Sequence, residues 1–216
     1  MKKAGKLQHI IIELGAHLPY SIFGVIVGIM ILGIFTFFTT ILNTRHLLPS
    51  AAEELFHIFH PTHILLSAIV TTAMFWKHER RFVKTLIIGF IGSIAICGLS
   101  DALLPYLGGR LLGTRMELHI CIIQHPRMIL PFAAIGVAVG FLVPSAVEKS
   151  TEFSHSMHVL VSSMASILYL ISFGIPDWTH MIGAIFSITI VAVMLPCCLS
   201  DIVFPLTFIN AKKHHS

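Results

Sequence analysis

The chain has 216 residues, of which 56% are hydrophobic and only 11% are charged, and its mean hydropathy is +0.89. This composition excludes an ordinary soluble domain and is typical of a protein that crosses a membrane several times. The net charge of +4 is small. The basic residues lie in the loops between apolar runs, so they indicate membrane topology and exclude a nucleic-acid-binding patch.

Six apolar runs predict membrane-spanning helices, each of which needs about 20 mostly apolar residues. The predicted spans are 18–42, 51–76, 85–107, 129–147, 158–174 and 179–209. The second run is polar in its first half, but the charged sequence KHERRFVK after it must lie in water. The basic segment before the first run has no small-residue cleavage site, so we expect it to belong to the mature protein.

Lysine and arginine residues set the orientation of the spans. With both termini inside, the inner segments hold ten of these residues and the outer segments hold four. The sequence therefore predicts an all-α integral membrane protein of the plasma or inner membrane, oriented N-in/C-in. Its first partner is the lipid bilayer, and a homo-oligomer is compatible with this architecture.

Three segments of the first half recur in the second half, in the same order. LPYSIFGVIVG at 18–28 matches LPFAAIGVAVG at 130–140, HPTHILLS at 60–67 matches HSMHVLVS at 155–162, and CGLSDALLP at 97–105 matches CCLSDIVFP at 197–205. Three ordered matches predict an internal repeat. Each half holds three spans, so the second half enters the membrane from the opposite side. We predict a 3+3 inverted-topology repeat of residues 1–109 and 110–216, which is typical of transporters.

The repeat aligns residues that can bind metals. His57 aligns with Glu152, and Glu13 aligns with His125. Residues three or four apart share one face of a helix, so the histidines of each second helix form a stripe. The predicted metal ligands are His57, His60, His63, Asp101, Glu152, His155, His158, Asp201, Glu13 and His125. Further candidates for metal ligands are Cys97, Cys197, Ser100, Ser200, Glu53 and Glu148. His17, His119 and His180 lie near span ends and are candidates for guiding ions inward.

Each aspartate is followed by a proline four residues later, at Pro105 and Pro205. Such a proline clashes with the aspartate's own carbonyl and removes its hydrogen-bond donor. We therefore expect the helix to kink or open there, with a freed carbonyl beside a carboxylate, as in cation-binding transporter helices. The small residues of GVIVG and GVAVG are expected to allow close helix packing.

Imidazole together with carboxylate suits Zn²⁺, Fe²⁺, Mn²⁺, Co²⁺ or Ni²⁺. The sequence predicts a secondary transporter or channel for such a cation, with its site near the bilayer midplane at the repeat interface. Protons are the candidate counter-ion, because histidine titrates near neutral pH. On this interpretation the protein is not an enzyme. The alternatives are an integral-membrane metalloenzyme of di-iron or zinc type, a bis-histidine haem protein, and a structural subunit of a larger complex.

Overall fold

The computed structural model describes residues 3–143 and 151–198, and these ranges contain helices and connecting loops but no strand. The helices are α1 Lys3–Ile41, α2 Leu48–His78, α3 Phe82–Gly98, α4 Leu104–Leu111, α5 Cys121–Gln124, α6 Pro126–Leu142, α7 Thr151–Phe173 and α8 Ile182–Cys198. A π-helical turn, Leu99–Leu103, joins α3 to α4. Short 3₁₀ turns, Arg45–Leu47 and Trp178–Met181, precede α2 and α8.

Four helical segments are long and apolar enough to cross a membrane, judged by length and composition. They are Leu18–Ile41, Arg45–His78, Phe82–Leu111 and Ser156–Phe173. The apolar helices Pro126–Leu142 and Trp178–Met194 are shorter. For the described residues, the prediction of an all-helical fold with helices able to span a membrane is confirmed, whereas the six-span inverted topology stays a prediction.

Helices α2 and α7 form the centre of the bundle and run antiparallel to each other. Phe56 near the start of α2 lies against Tyr169 and Phe173 near the end of α7. His63, two turns further along α2, contacts His158 near the start of α7. Helices α3 and α6 also pack on α2, while α1 packs mainly against α7 and α8. The two central helices therefore meet where the histidine stripes were predicted.

Helix α6 approaches α2 through two glycines of its GVAVG sequence. A Cβ atom on Gly136 would lie 2.6 Å from the carbonyl oxygen of Leu65, and one on Gly140 would lie 2.8 Å from that of Ile69. Both distances are far shorter than a carbon–oxygen contact allows. Small residues are therefore required at this crossing, as is common where membrane helices pack closely.

Helix α1 approaches α7 through the matching glycines of GVIVG. A Cβ atom on Gly24 would lie 3.4 Å from the Cα atom of Leu160, and one on Gly28 would lie 3.3 Å from the Sδ atom of Met164. Leu160 and Met164 are the residues that the sequence repeat aligns with the two α2 positions contacted by α6. The first helix of each half therefore packs at an equivalent place on the second helix of the other half.

We expect Gly136→Ala to destabilise the protein, because the added methyl group meets backbone atoms that cannot yield. Overpacking of this kind costs about 1–3 kcal/mol. The measurement is the free energy of unfolding from an SDS titration in mixed micelles. Gly33→Ala in α1 is the matched control, because a Cβ atom there has nothing within 4 Å. Equal loss in both variants would contradict the described contact between α6 and α2.

Candidate functional site

The carboxylate of Asp101 lies fully buried at the junction of three helical elements. Its Oδ2 atom is 2.9 Å from Nδ1 of His60 and 2.7 Å from Nδ1 of His63. Its Oδ1 atom accepts hydrogen bonds from the hydroxyls of Ser100, at 2.7 Å, and Ser162, at 2.9 Å. All five residues are buried. The carboxylate therefore has four donors, which match the number of its acceptor positions.

The π-helical turn places Asp101 in this position. Pro105 lacks the N–H group that would bond the carbonyl of Asp101, so the regular helical pattern is interrupted just before α4. The turn Leu99–Leu103 widens the helix at that point, and the hydroxyl of Ser166 donates to the carbonyl oxygen of Ser100 at 3.0 Å. The helix thus opens where the proline spacing predicts. A side chain of α7 then satisfies a backbone acceptor within the π turn.

The hydrogen bonds to Asp101 determine which nitrogens can bind a metal. His60 and His63 both turn Nδ1 towards the carboxylate, so each donates its proton from Nδ1. When these imidazoles are neutral, their Nε2 atoms carry the lone pairs. Metal-binding histidines are commonly held in this way by a carboxylate behind them. In this conformation Asp101 orients its two histidines, whereas the sequence predicts it as a direct ligand.

His63 continues the chain of contacts to α7. Its Nε2 atom lies 2.7 Å from Nε2 of His158, and the two ring planes are inclined by 78°. Two nitrogens that share a tetrahedral ion are roughly 3.3 Å apart, because each lies about 2.0–2.1 Å from the metal. The contact is therefore a hydrogen bond, and the rings must separate before both can bind one ion. We term His60, His63, Asp101 and His158 the buried histidine–aspartate network.

A second group of potential metal ligands lies at one end of this network. One ring nitrogen from each of His57, His119 and His125 lies within 4.8 Å of the other two, so the three residues could hold a metal ion. The Nε2 atoms of His57 and His119 are 3.1 Å apart. His119 is buried, His57 is partly exposed and His125 is exposed. We term these three residues the surface histidine group.

His119 lies in the segment between α4 and α5, and contacts of this segment with α7 place the residue in the surface histidine group. The backbone N–H of Glu117 donates to the carbonyl of Phe173, and the hydroxyl of Tyr169 donates to the carbonyl of Glu117. The backbone N–H of His119 donates to the same tyrosine hydroxyl at 3.0 Å, while its ring stacks on Phe173 at 4.5 Å. The end of α7 therefore holds the segment and fixes the His119 ring above α2.

The electrostatic setting favours neutral imidazole at His119. Burial, followed by the neighbouring His57 and His125, lowers the pKa of His119 from 6.5 to about 4. The neutral form is the one that binds metals. Burial, followed by the charge of Asp101, raises the pKa of Cys121 to about 12. At neutral pH and without a metal ion, that side chain is therefore a thiol.

The structure divides the predicted ligands between two places. His57 and His125 belong to the surface histidine group, while His60, His63, Asp101 and His158 form the buried network. Ser100 donates to Asp101, Glu53 lies partly exposed one turn before His57, and Cys97 packs in the hydrophobic core. The remaining predictions concern Asp201, Ser200 and Glu148, which lie outside the described residues, and Glu13, Glu152, His155 and Cys197, whose side chains lie outside the described part of the chain.

His119 is the residue that sequence reasoning placed least well, because it was considered only as a guide near a span end. It lies in a connecting segment without helical periodicity, so spacing does not link it to the α2 stripe. The available signal is the sequence HICIIQH, which carries His119 and His125 in an otherwise apolar stretch between two spans. Only the fold of this segment onto α7 shows that both rings meet His57.

Polar side chains continue along α2 beyond the histidines. Ser67 and Thr71 are fully buried, and among the described residues neither hydroxyl has a hydrogen-bond partner. Helix α7 presents its own buried polar residues, His158, Ser162 and Ser166, towards the centre of the bundle. Buried hydroxyls without partners are uncommon in proteins. They indicate a polar interior that extends beyond the buried network.

The described residues define an all-helical protein with segments able to cross a membrane and with a histidine group able to hold a metal ion. No protein-family model, curated protein or solved structure matches the chain.

We expect Asp101→Ala to lower the free energy of unfolding by about 3–5 kcal/mol, because breaking a buried ion pair or hydrogen-bonded charge leaves its partners uncompensated. Asp177→Ala is the matched control. Asp177 pairs with Arg45 at 2.6 Å, but its side chain is 64% exposed, and exposed pairs contribute about 1 kcal/mol at most. SDS titration measures both variants. A loss for Asp101→Ala as small as that of the control would contradict the buried network.

Proposed function

We propose that the protein is a membrane transporter, either a secondary transporter or a channel, for a divalent transition-metal cation. The observation that carries this proposal is a line of polar side chains along α2, through the interior of an apolar bundle. The line consists of His57, His60, His63, Ser67 and Thr71, and all but His57 are buried. It extends for roughly 21 Å at 1.5 Å per residue, which is about two thirds of the hydrocarbon thickness of a bilayer.

Polar residues inside a membrane are costly and usually mark an ion path. A purely structural hydrogen bond between helices needs one or two such residues, whereas α2 presents five in succession. Helix α7 faces them with His158 and Ser162, and the π turn adds Asp101. Because these groups come from three helical elements, a small shift between helices changes which of them an ion can reach.

The chemistry of the line favours transition metals over Mg²⁺ or Ca²⁺, which prefer oxygen ligands. Imidazole nitrogens dominate both the surface histidine group and the buried network. Zn²⁺, Fe²⁺, Mn²⁺, Co²⁺ and Ni²⁺ all accept such ligands, and Zn²⁺ and Co²⁺ suit the three-nitrogen group best. Protons are the proposed counter-ion, because an imidazole must be unprotonated to bind a metal.

The proposed topology is the six-span inverted repeat, oriented N-in/C-in in the plasma or inner membrane. Two structural features support it. The glycine contacts of α1 and α6 fall on aligned positions of α7 and α2. His63 and His158, which the repeat aligns, touch each other, as residues on a pseudo-twofold axis must. Sites at such an axis are typical of transporters built from inverted repeats.

A membrane metalloenzyme of zinc type is the second candidate. Three histidines that leave a fourth ligand position open are also typical of catalytic zinc sites, where the open position binds water. The surface histidine group has this form. Tightly bound metal that never crosses the bilayer, together with hydrolysis of a test ester by the Zn²⁺-loaded protein, would favour this candidate over transport.

We expect reconstituted protein to move at least one of these cations into liposomes that contain a metal-sensitive fluorophore. Asp101→Asn removes the acceptor that orients two histidines, and loss of such an outer group weakens metal sites by about 10- to 100-fold. His63→Gln removes a ligand directly and should reduce the initial flux by at least as much. Both variants are compared at equal amounts of folded protein, judged by gel filtration.

His78→Gln is the matched control for the flux assay, because that histidine is exposed at the end of α2 and lies outside the polar line. It should transport like the unaltered protein. Flux that persists in Asp101→Asn and His63→Gln, or no flux for any of the five cations, would contradict the proposal.

A further inference from the structure

We propose that the surface histidine group, His57, His119 and His125, is a separate metal site that takes up a borderline divalent cation such as Zn²⁺ or Co²⁺ before it reaches the buried network. The order of binding rests on the proposed transport function. Binding of the ion at the group rests only on the geometry of the three rings.

The three imidazoles are arranged as a near-equilateral triangle. The ring centroids of His57 and His119 are 5.2 Å apart, those of His57 and His125 are 4.9 Å apart, and those of His119 and His125 are 5.5 Å apart. The Nε2 separation of 3.1 Å between His57 and His119 is close to the roughly 3.3 Å expected around a tetrahedral ion. Small side-chain rotations therefore suffice to surround one metal.

Two of the three ligands are held in place before any ion arrives. His57 lies on the central helix α2, and His119 is fixed by its ring stacking on Phe173 and its backbone hydrogen bond to Tyr169. His125 is exposed at the start of α6, so it can close on the ion from the surface. Preorganised ligands reduce the entropy lost on binding.

The surroundings fit a cation with three nitrogen ligands and one water molecule. Glu53 and Glu54 precede His57 by about one helical turn, and their charges act on its imidazole. Carboxylates at the mouth of a polar path raise the local concentration of cations. Cys121, the nearby candidate for a softer ligand, is buried in the hydrophobic core.

The buried network is not ready for an ion in the same conformation. His63 and His158 are 2.7 Å apart and bonded to each other, so they cannot share a metal until their helices or rings separate. The surface histidine group, whose closest pair of ring nitrogens is 3.1 Å apart, needs only small side-chain rotations. An ion therefore meets a formed site first and a closed site second, with His60 one turn deeper on the same helix.

The test is a Co²⁺ titration of the purified, detergent-solubilised full chain, followed by visible absorption. Tetrahedral Co²⁺ absorbs far more strongly than octahedral Co²⁺, so the spectrum reports the geometry. We expect the unaltered protein to bind one molar equivalent of Co²⁺ with the strong absorption of tetrahedral geometry. In His119→Ala and His125→Ala the apparent affinity for Co²⁺ should fall at least tenfold. His78→Ala, at an exposed histidine at the far end of α2, is the matched control and should bind normally.

His125→Ala protects the test against misfolding, because this side chain is exposed and its removal leaves no cavity. Normal Co²⁺ spectra and affinity in both His125→Ala and His119→Ala would overturn the proposed site. If metal flux still depends on His63 in that case, the proposed transport function remains supported although the surface site is not. Tight binding of tetrahedral Co²⁺ that depends on His119 and His125, without flux of any cation, would support the surface site and overturn the proposed transport function.

Discussion

The burial of one carboxylate constrains the whole bundle. An unpaired charge inside an apolar protein costs several kcal/mol, so Asp101 must be surrounded by donors to remain there. Those donors come from α2, from the π turn itself and from α7. Because hydrogen bonds tolerate only a few tenths of an ångström of error, the carboxylate fixes the relative height and rotation of these elements. The glycine contacts of α1 and α6 then complete the packing around the two central helices.

The same hydrogen bonds determine the chemistry of the interior. By accepting from Nδ1 of His60 and His63, Asp101 leaves Nε2 of each ring as the basic nitrogen. The Nε2 atom of His63 thereby lies against Nε2 of His158. A hydrophobic residue in place of Asp101 would leave both rings free to rotate. The carboxylate therefore determines which nitrogen atoms of these two histidines could bind a metal ion.

The sequence predicted much of this arrangement from periodicity. The spacing of His57, His60 and His63 identified a helical stripe, and proline four residues after Asp101 indicated the opened helix. Periodicity acts within one helix, so it could not show that Asp101 lies behind the histidines as an acceptor. Periodicity also could not show that His57 and His60 belong to different groups of side chains, because adjacent turns of one helix contact different neighbouring segments. The role of His119 depends on a tertiary contact of a connecting segment, which leaves no regular pattern in the sequence.

The exchange of first helices between the halves has a mechanical consequence. Helix α1 is attached to α7 and α8, and α6 is attached to α2 and α3. These two packing groups therefore do not coincide with the two lengths of chain on either side of residue 109. Each group contains helices from both lengths, and α2 and α7 form the boundary between the groups. Any movement of one group against the other would stretch or relax the hydrogen bond between His63 and His158 directly.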